Sequence, residues 1–163
     1  KIIIDGIKLG IEVGSTEAIE YGGKEYVGGA AALLDRAKDL EEERDYDNLQ
    51  DKTLISWHFF PFLYYQLSRW SRTSFLSISA RQFQRSDREK LEKAFLYTEE
   101  VNRLAREYRE ALCVPWPKSP PNAQEMLLNK IRDRERRRKG ARLLRQIAEA
   151  ERATLDELQK LVG

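Results

Sequence analysis

A regular apolar stripe between Asp87 and Leu112 dictates much about the fold of this 163-residue chain. Apolar side chains recur every three or four positions in an otherwise charged stretch, at Leu91, Ala94, Phe95, Val101, Leu104, Ala105, Tyr108 and Leu112. An α-helix has 3.6 residues per turn, so this spacing places them on one face. The same spacing appears over 32–40 and 127–162. The sequence therefore predicts a mainly α protein in which amphipathic helices form a bundle.

The first 29 residues follow another pattern. Short runs rich in β-branched residues are separated by glycines, at Ile2–Ile4, Ile7–Val13, Ala18–Tyr21 and Glu25–Val27. Glycine adopts the positive φ angles of tight turns, so these runs predict a small β-meander or a pair of hairpins. We expect residues 1–29 to form a small β appendage and residues 30–163 to form the α-helical domain.

The most apolar segment is "LISWHFFPFLYYQLSRW", Leu54 to Trp70. Pro61 either lies in the first turn of a helix or kinks a longer one. We expect this helix to lie in the core, with anchors for partner proteins at Trp57, Phe62, Tyr64 and Trp70. The serine-rich stretch after it fits either a continued helix or an irregular crossing.

Helix starts are predicted from capping pairs. Ser86 with Glu89 forms one candidate capping box, and Asn122 with Glu125 forms another. Between them, the four prolines within residues 113–121 predict a stiff connector without helix. Thr154 with Glu157 leaves open a break in the last helix near Ala153.

Charge is unevenly distributed along the chain, although the formal net charge is only +2. The segment Asp35–Asp51 has eight acidic and three basic residues, whereas Lys130–Arg145 has nine basic and two acidic ones. The basic residues are Lys130, Arg132, Arg134, Arg136, Arg137, Arg138, Lys139, Arg142 and Arg145. They could contact phosphates or an acidic protein surface, or form a solvated helix face. No aromatic residue lies in this run to stack on bases, so an acidic surface, of this chain or of a partner, is the favoured contact.

The sequence contains no recognisable catalytic set. His58 lies among aromatic residues and Cys113 ends a helical stripe, so both fit packed positions better than catalytic ones. With one histidine and one cysteine, we predict no metal site, no cofactor and no enzymatic activity. An enzyme completed by another subunit remains a third hypothesis. Low cysteine content and the absence of a long apolar run favour an intracellular protein without a membrane partner.

Two segments carry a resemblance to a known family. Phe60–Leu67, "FPFLYYQL", and Ile131–Leu144, "IRDRERRRKGARLL", follow a glycine-rich β part and an acidic helix. In this order they resemble the GINS replication-complex subunits that carry their β domain first. The resemblance implies a non-catalytic scaffold that assembles with sister subunits and contacts a replicative helicase.

These observations lead to two main functional expectations. The first is a non-catalytic assembly or adaptor subunit of a DNA-replication or related complex, bound to other protein subunits as a hetero- or homo-oligomer. The alternative is a DNA- or RNA-binding or packaging protein, of viral origin in one version, whose arginine-rich helix binds phosphates.

Overall fold

The computed structural model describes residues 1–42, 60–113 and 120–163. Within these ranges there are six helices and one two-stranded antiparallel sheet. The helices are α1 (Ile2–Ser15), α2 (Gly29–Glu41), α3 (Phe60–Ala80), α4 (Arg85–Leu112), α5 (Ala123–Arg132) and α6 (Arg134–Val162), and the strands are β1 (Ala18–Tyr21) and β2 (Lys24–Val27). The protein is therefore mainly α, a helical bundle with a small sheet near the N-terminus, as the sequence predicts.

The two longest helices, α4 and α6, form the centre of the bundle. They pack against each other, α2 covers α6, and α3 covers α4. The main core cluster joins Leu40 of α2, Tyr108 and Leu112 of α4, and Leu144 and Ile147 of α6, all of them buried. Burial of each such side chain stabilises the fold by about 1.5–3 kcal/mol. The apolar stripes read from the sequence are thus the surfaces that hold these three helices together.

The N-terminal segment is helical, so the prediction of strands over Ile2–Ile4 and Ile7–Val13 is wrong. Ile7 is buried, and Ile3 and Ile11, one turn before and after it, pack against the same apolar cluster. That cluster also includes residues of α3, α4 and α6. The spacing of four between the isoleucines suits a helix face, and burial of this face outweighs the β preference of isoleucine.

A glycine brings α1 close to α6. A Cβ on Gly14 would lie 2.8 Å from Leu155 Cδ2, so a larger residue would require the Leu155 side chain or α1 to shift. Gly14 therefore allows close helix packing, whereas the sequence interpretation assigned the glycines of this segment to turns.

The hairpin prediction is confirmed for the two strands after α1. β1 pairs with β2 in a register that places Tyr21 opposite Lys24. Gly22 and Gly23 form the two-residue turn with φ angles of 60° and 71°, the conformation that a type I′ turn requires. α2 begins at Gly29, where the sequence predicts the change from strand to helix.

The structure also defines the helix limits that the sequence left open. Pro61 lies in the first turn of α3, and the serine-rich stretch continues that helix to Ala80. α4 begins at Arg85, before Ser86, so the expected Ser86 capping box does not form. α5 follows Asn122 as predicted, although the Asn122 side chain makes no capping hydrogen bond. α6 continues through residue 153 without a break. Residues 114–119 of the proline-rich connector lie outside the described ranges.

Candidate functional site

The basic run spans a junction between two helices. α5 ends at Arg132, and Asp133 starts α6 by accepting hydrogen bonds from the backbone N–H of Glu135 at 2.9 Å and of Arg136 at 3.1 Å. An aspartate N-cap stabilises a helix start by about 0.5–2 kcal/mol. The sequence interpretation treated this segment as the middle of one helix and missed the cap.

Two cations of the run bind the carbonyl ends of neighbouring helices. Lys130 Nζ donates to the carbonyl oxygens of Glu110 at 2.9 Å and Cys113 at 2.7 Å, at the end of α4. Arg137 Nη1 donates to those of Ile131 at 2.8 Å and Arg132 at 2.7 Å, at the end of α5. Carbonyl oxygens at helix C-termini lack helical partners and carry partial negative charge, so cations stabilise them.

Both of these cations are withdrawn from water to some degree. Arg137 is 9% exposed. Burial, together with the nearby charge of Arg136, lowers the pKa of Lys130. Part of the positive charge of the basic run therefore binds backbone carbonyl groups of the same chain.

Arg145 pairs with the acidic helix of the same chain. Its Nη1 and Nη2 donate to the two carboxylate oxygens of Glu41 at 2.6 and 2.5 Å. The hydrogen bond from Arg145, with the nearby charges of Arg138 and Arg142, lowers the pKa of Glu41. At this position the positive and negative regions of the sequence meet within one chain.

The rest of the basic run faces solvent. Arg136 and Arg138 form short-range ion pairs with Asp133 at 3.4 Å and Glu135 at 2.9 Å. The side chains on the exposed surface also include Arg132, Arg134, Lys139 and Arg142. This exposed subset is the part of the run that solvent reaches.

A groove of about 880 Å³ lies at a different place, between α3 and the α1, hairpin and α2 side of the bundle. Its apolar wall includes Val13, Ile19, Tyr26 and Leu33, and Tyr108 and Leu144 also line it. Val13, Ile19 and Tyr26 are 64%, 48% and 50% exposed. Large apolar side chains around a concave opening are typical of binding sites.

An ionic cluster closes one side of this groove. Glu151 of α6 is 4% exposed and accepts hydrogen bonds from the Tyr65 hydroxyl at 2.6 Å, from Arg72 Nη1 at 2.7 Å and from Arg69 Nε. The Arg69 guanidinium also lies 4.4 Å from the centre of the Tyr65 ring, a cation–π contact. The cluster joins α3 to α6 through polar side chains, and Tyr65, Arg69 and Arg72 line the groove.

The protonation states of the cluster follow from its charges. Burial alone would raise the pKa of Glu151, but the charges of Arg72 and Arg69 outweigh burial and lower it. Burial, followed by the charge of Glu151, raises the pKa of Tyr65 well above its usual value. Glu151 is therefore a carboxylate, and the Tyr65 hydroxyl keeps its proton and donates a hydrogen bond to Glu151.

Two donor atoms of Arg72 make no hydrogen bond. Its Nε and Nη2 atoms are buried and have no hydrogen-bond partner, while its Nη1 binds Glu151. A buried donor without a partner costs roughly 1–3 kcal/mol, and more when the group is charged. Such exceptions are uncommon in folded proteins.

The predicted aromatic anchors are only partly described. Trp70 is 68% exposed on α3. Phe62 and Tyr64 belong to α3, but their side chains lie outside the described part of the structure, as do all of Trp57 and His58. Trp70 is absent from the lining of the groove.

Sequence reasoning missed Tyr65, Arg69, Arg72 and Glu151. The sequence signal that could have identified them is the presence of charged residues on otherwise apolar helix faces. Arg69 and Arg72 follow Tyr65 by four and seven positions on the aromatic helix, and Glu151 continues the stripe of Ile147. Each charged residue on an apolar face calls for a buried partner.

The described residues do not support a reactive thiol or a metal site. The Cys113 thiol is buried, and burial raises its pKa to about 11, so it is protonated at neutral pH. In residues 1–42, 60–113 and 120–163, no cluster of three or more histidine, cysteine or acidic residues could hold a metal ion. Over the same ranges, each helix is too short or too polar to cross a membrane.

The comparisons with known proteins found no matching family model, no matching curated protein and no matching solved structure. The groove and its ionic cluster are therefore the basis for a functional proposal.

Proposed function

We propose that this chain is a non-catalytic assembly subunit that binds a segment of another protein in the groove between α3 and the N-terminal side of the bundle. The observation that carries the proposal is the groove itself, with a volume of about 880 Å³. Val13, Ile19 and Tyr26 contribute half-exposed apolar surface to it. Burial of such surface by a partner supplies the main driving force of protein association.

The apolar surface extends beyond the groove on the same side of the molecule. Leu9 lies one turn before Val13 on α1 and is 61% exposed. A peptide seated in the groove would cover this extension as well. The placement of the complex in DNA replication depends on the GINS resemblance of residues 60–67 and 131–144 and stays a prediction.

Site-specific photo-crosslinking tests the proposal. A benzoylphenylalanine replaces Tyr26 in the groove, and a control carries it at Leu96, which is 64% exposed on α4 and does not line the groove. We expect the Tyr26 position, and not the Leu96 position, to capture a defined protein in cells. Adding Val13→Arg should abolish the product, because a charge would then enter the apolar wall.

Two results together would contradict the assembly role. The first is a strict monomer by light scattering at all concentrations. The second is a Tyr26 cross-linking pattern identical to that of the Leu96 control.

The nucleic-acid alternative is favoured by the exposed cations of the basic run. Arg132, Arg134, Lys139 and Arg142 have exposed side chains at the α5–α6 junction. If these residues bind phosphates, affinity for duplex DNA or single-stranded RNA should fall steeply with salt. The variant Lys139→Gln/Arg142→Gln should then show a shallower salt dependence, whereas absent or salt-insensitive binding excludes this alternative.

A further inference from the structure

The outward face of α1 is apolar and exposed. Ile2, Leu9 and Val13 are 88%, 61% and 64% exposed. Because an α-helix turns about 100° per residue, these three side chains and Gly6 fall within about 60° of arc. The face differs from the one that packs on the bundle, where Ile7 is buried. An exposed cluster of large apolar side chains marks an interaction surface.

The residue sizes on this face complement themselves when two copies of α1 run in opposite directions. A two-fold axis near the middle of α1 places Leu9 opposite Gly6 of the second copy, and Val13 opposite Ile2 of the second copy. Gly6 is exposed and has no side chain, so the large Leu9 side chain meets a gap, as in the packing of coiled coils. Phe75 of α3 lies beside Gly6 and is 38% exposed, which adds apolar surface next to this gap.

The charges along one edge of this face complement themselves in the same arrangement. Lys1, Asp5, Lys8 and Glu12 are exposed on α1 and fall within about 60° of arc. Their signs alternate, so an antiparallel copy presents the opposite sign at each level. In a two-fold antiparallel helix pair each edge meets the same edge of the other helix, and every contact occurs twice. The axis that pairs Leu9 with Gly6 therefore brings Asp5 near Lys8 of the second copy.

We propose that two copies of this chain form a symmetric dimer through antiparallel packing of their α1 helices. The second copy is the occupant of the outward face because both the sizes and the charges of that face are self-complementary. The dimer does not depend on the proposed function, since Ile2 and Leu9 do not line the groove and only Val13 is shared. One helix face per copy is a small interface, so we expect a dissociation constant in the micromolar range.

Sedimentation velocity of the purified chain tests the dimer. We expect the sedimentation coefficient to rise with concentration from the monomer value to the dimer value. Leu9→Glu should weaken dimerisation at least about tenfold, because each dimer would bury two carboxylates in the apolar contact. Leu96→Glu is the matched control, since Leu96 is 64% exposed on α4, and it should dimerise like the unaltered protein. Circular dichroism checks that both variants are folded.

Charge reversal tests the antiparallel pairing. Lys8→Glu places a carboxylate near Asp5 of the second copy at two symmetric positions, so it should weaken the dimer at least about fivefold. Asp5→Lys should weaken it to a similar degree. The double variant Asp5→Lys/Lys8→Glu restores opposite charges across the two-fold axis and should recover the affinity to within about twofold.

Several results would overturn the dimer. A single monomeric species up to about 500 μM would do so, as would equal weakening by Leu9→Glu and Leu96→Glu. A double charge variant that recovers no affinity would exclude the antiparallel pairing. If benzoylphenylalanine at Leu9 cross-linked a monomeric chain to a different protein, the outward face of α1 would belong to that protein.

The Tyr26 cross-linking experiment separates the dimer from the proposed function. A monomeric chain that captures another protein from the Tyr26 position would overturn the dimer and support the groove proposal. A dimer that captures no other protein from that position would support the antiparallel pairing and count against the groove proposal.

Discussion

Gly140 of α6 lies so close to Leu112 of α4 that a Cβ on Gly140 would stand 2.3 Å from Leu112 Cδ1. Leu40 Cδ1 of α2 would lie at 3.4 Å, an ordinary van der Waals distance. This glycine inside the basic helix thus allows the close contact between α6 and Leu112 of α4. Its place in "RRRKGARLL" has a packing reason.

Gly140→Ala should therefore destabilise the protein. Overpacking in a filled core costs about 1–3 kcal/mol, and the better helix propensity of alanine returns up to about 1 kcal/mol. We expect a net loss of up to about 2 kcal/mol in the free energy of unfolding, measured in urea. Gly10→Ala is the control because no atom lies within 4 Å of the added Cβ, and it should stabilise α1. Equal stability of the two variants would show that the contact at Gly140 is not tight.

Glu151→Gln should cost far more than the loss of a surface carboxylate. It leaves Arg69 and Arg72 largely buried beside each other without their shared anion, and breaking a buried ion pair costs about 3–5 kcal/mol. Glu92→Gln, which removes an exposed pair with Arg88, should cost less than about 1 kcal/mol. Thermal or urea unfolding measures both, and comparable losses would rule out a structural role for the buried cluster.

The same cluster should make stability depend on acid pH. The folded-state pKa of Glu151 is lowered, so its stabilisation is fully present above the unfolded-state pKa of about 4.3. It is lost as the pH falls through the lower folded-state pKa. Urea unfolding between pH 6 and pH 3 should show a steeper loss for the unaltered protein than for Glu151→Gln. Parallel curves would mean that Glu151 does not titrate as the structure implies.

The Arg145–Glu41 pair should contribute little to stability despite its good geometry. The two side chains are 42% and 39% exposed, and exposed pairs are typically worth about 0.2–1 kcal/mol. A double-mutant cycle with Arg145→Gln and Glu41→Gln should give a coupling energy in that range, decreasing with added salt. A salt-independent coupling of several kcal/mol would contradict this expectation.

Members of the basic run should differ sharply in their effect on stability. Arg137→Gln removes the donor from the carbonyl oxygens of Ile131 and Arg132 and should cost about 1–3 kcal/mol. Arg142→Gln changes an exposed side chain on α6 and should stay within about 0.5 kcal/mol of the unaltered protein. Thermal unfolding distinguishes them. If neither substitution changed the stability, the basic run would be a purely solvated helix face.

Much of the bundle could be read from the chain itself. The stripe from Leu91 to Leu112 predicted α4, and the pair Gly22–Gly23 between β-branched runs predicted the hairpin, because both signals depend on local periodicity or on φ angles. The N-terminal helix could not be read in this way. Ile3, Ile7 and Ile11 prefer strands in isolation, and only their burial against α3, α4 and α6 makes the helical face favourable.

The candidate site, too, was predictable from the sequence only in part. The chemistry of its residues was visible in the sequence as charges on apolar faces, but Glu151 and Arg69 are 82 positions apart. Nothing in local sequence pairs them. The assignment of Lys130 and Arg137 to helix ends also depends on where α4 and α5 terminate.

The sequence by itself determined the helical class, the hairpin and the opposed charges of the two regions, since these follow from residue spacing and composition. The tertiary structure alone decided which charged side chains form ion pairs, which backbone carbonyl groups Lys130 and Arg137 bind, and where a groove remains open. The physical reason is that burial and charge pairing depend on distances between side chains, and these distances exist only once the helices pack.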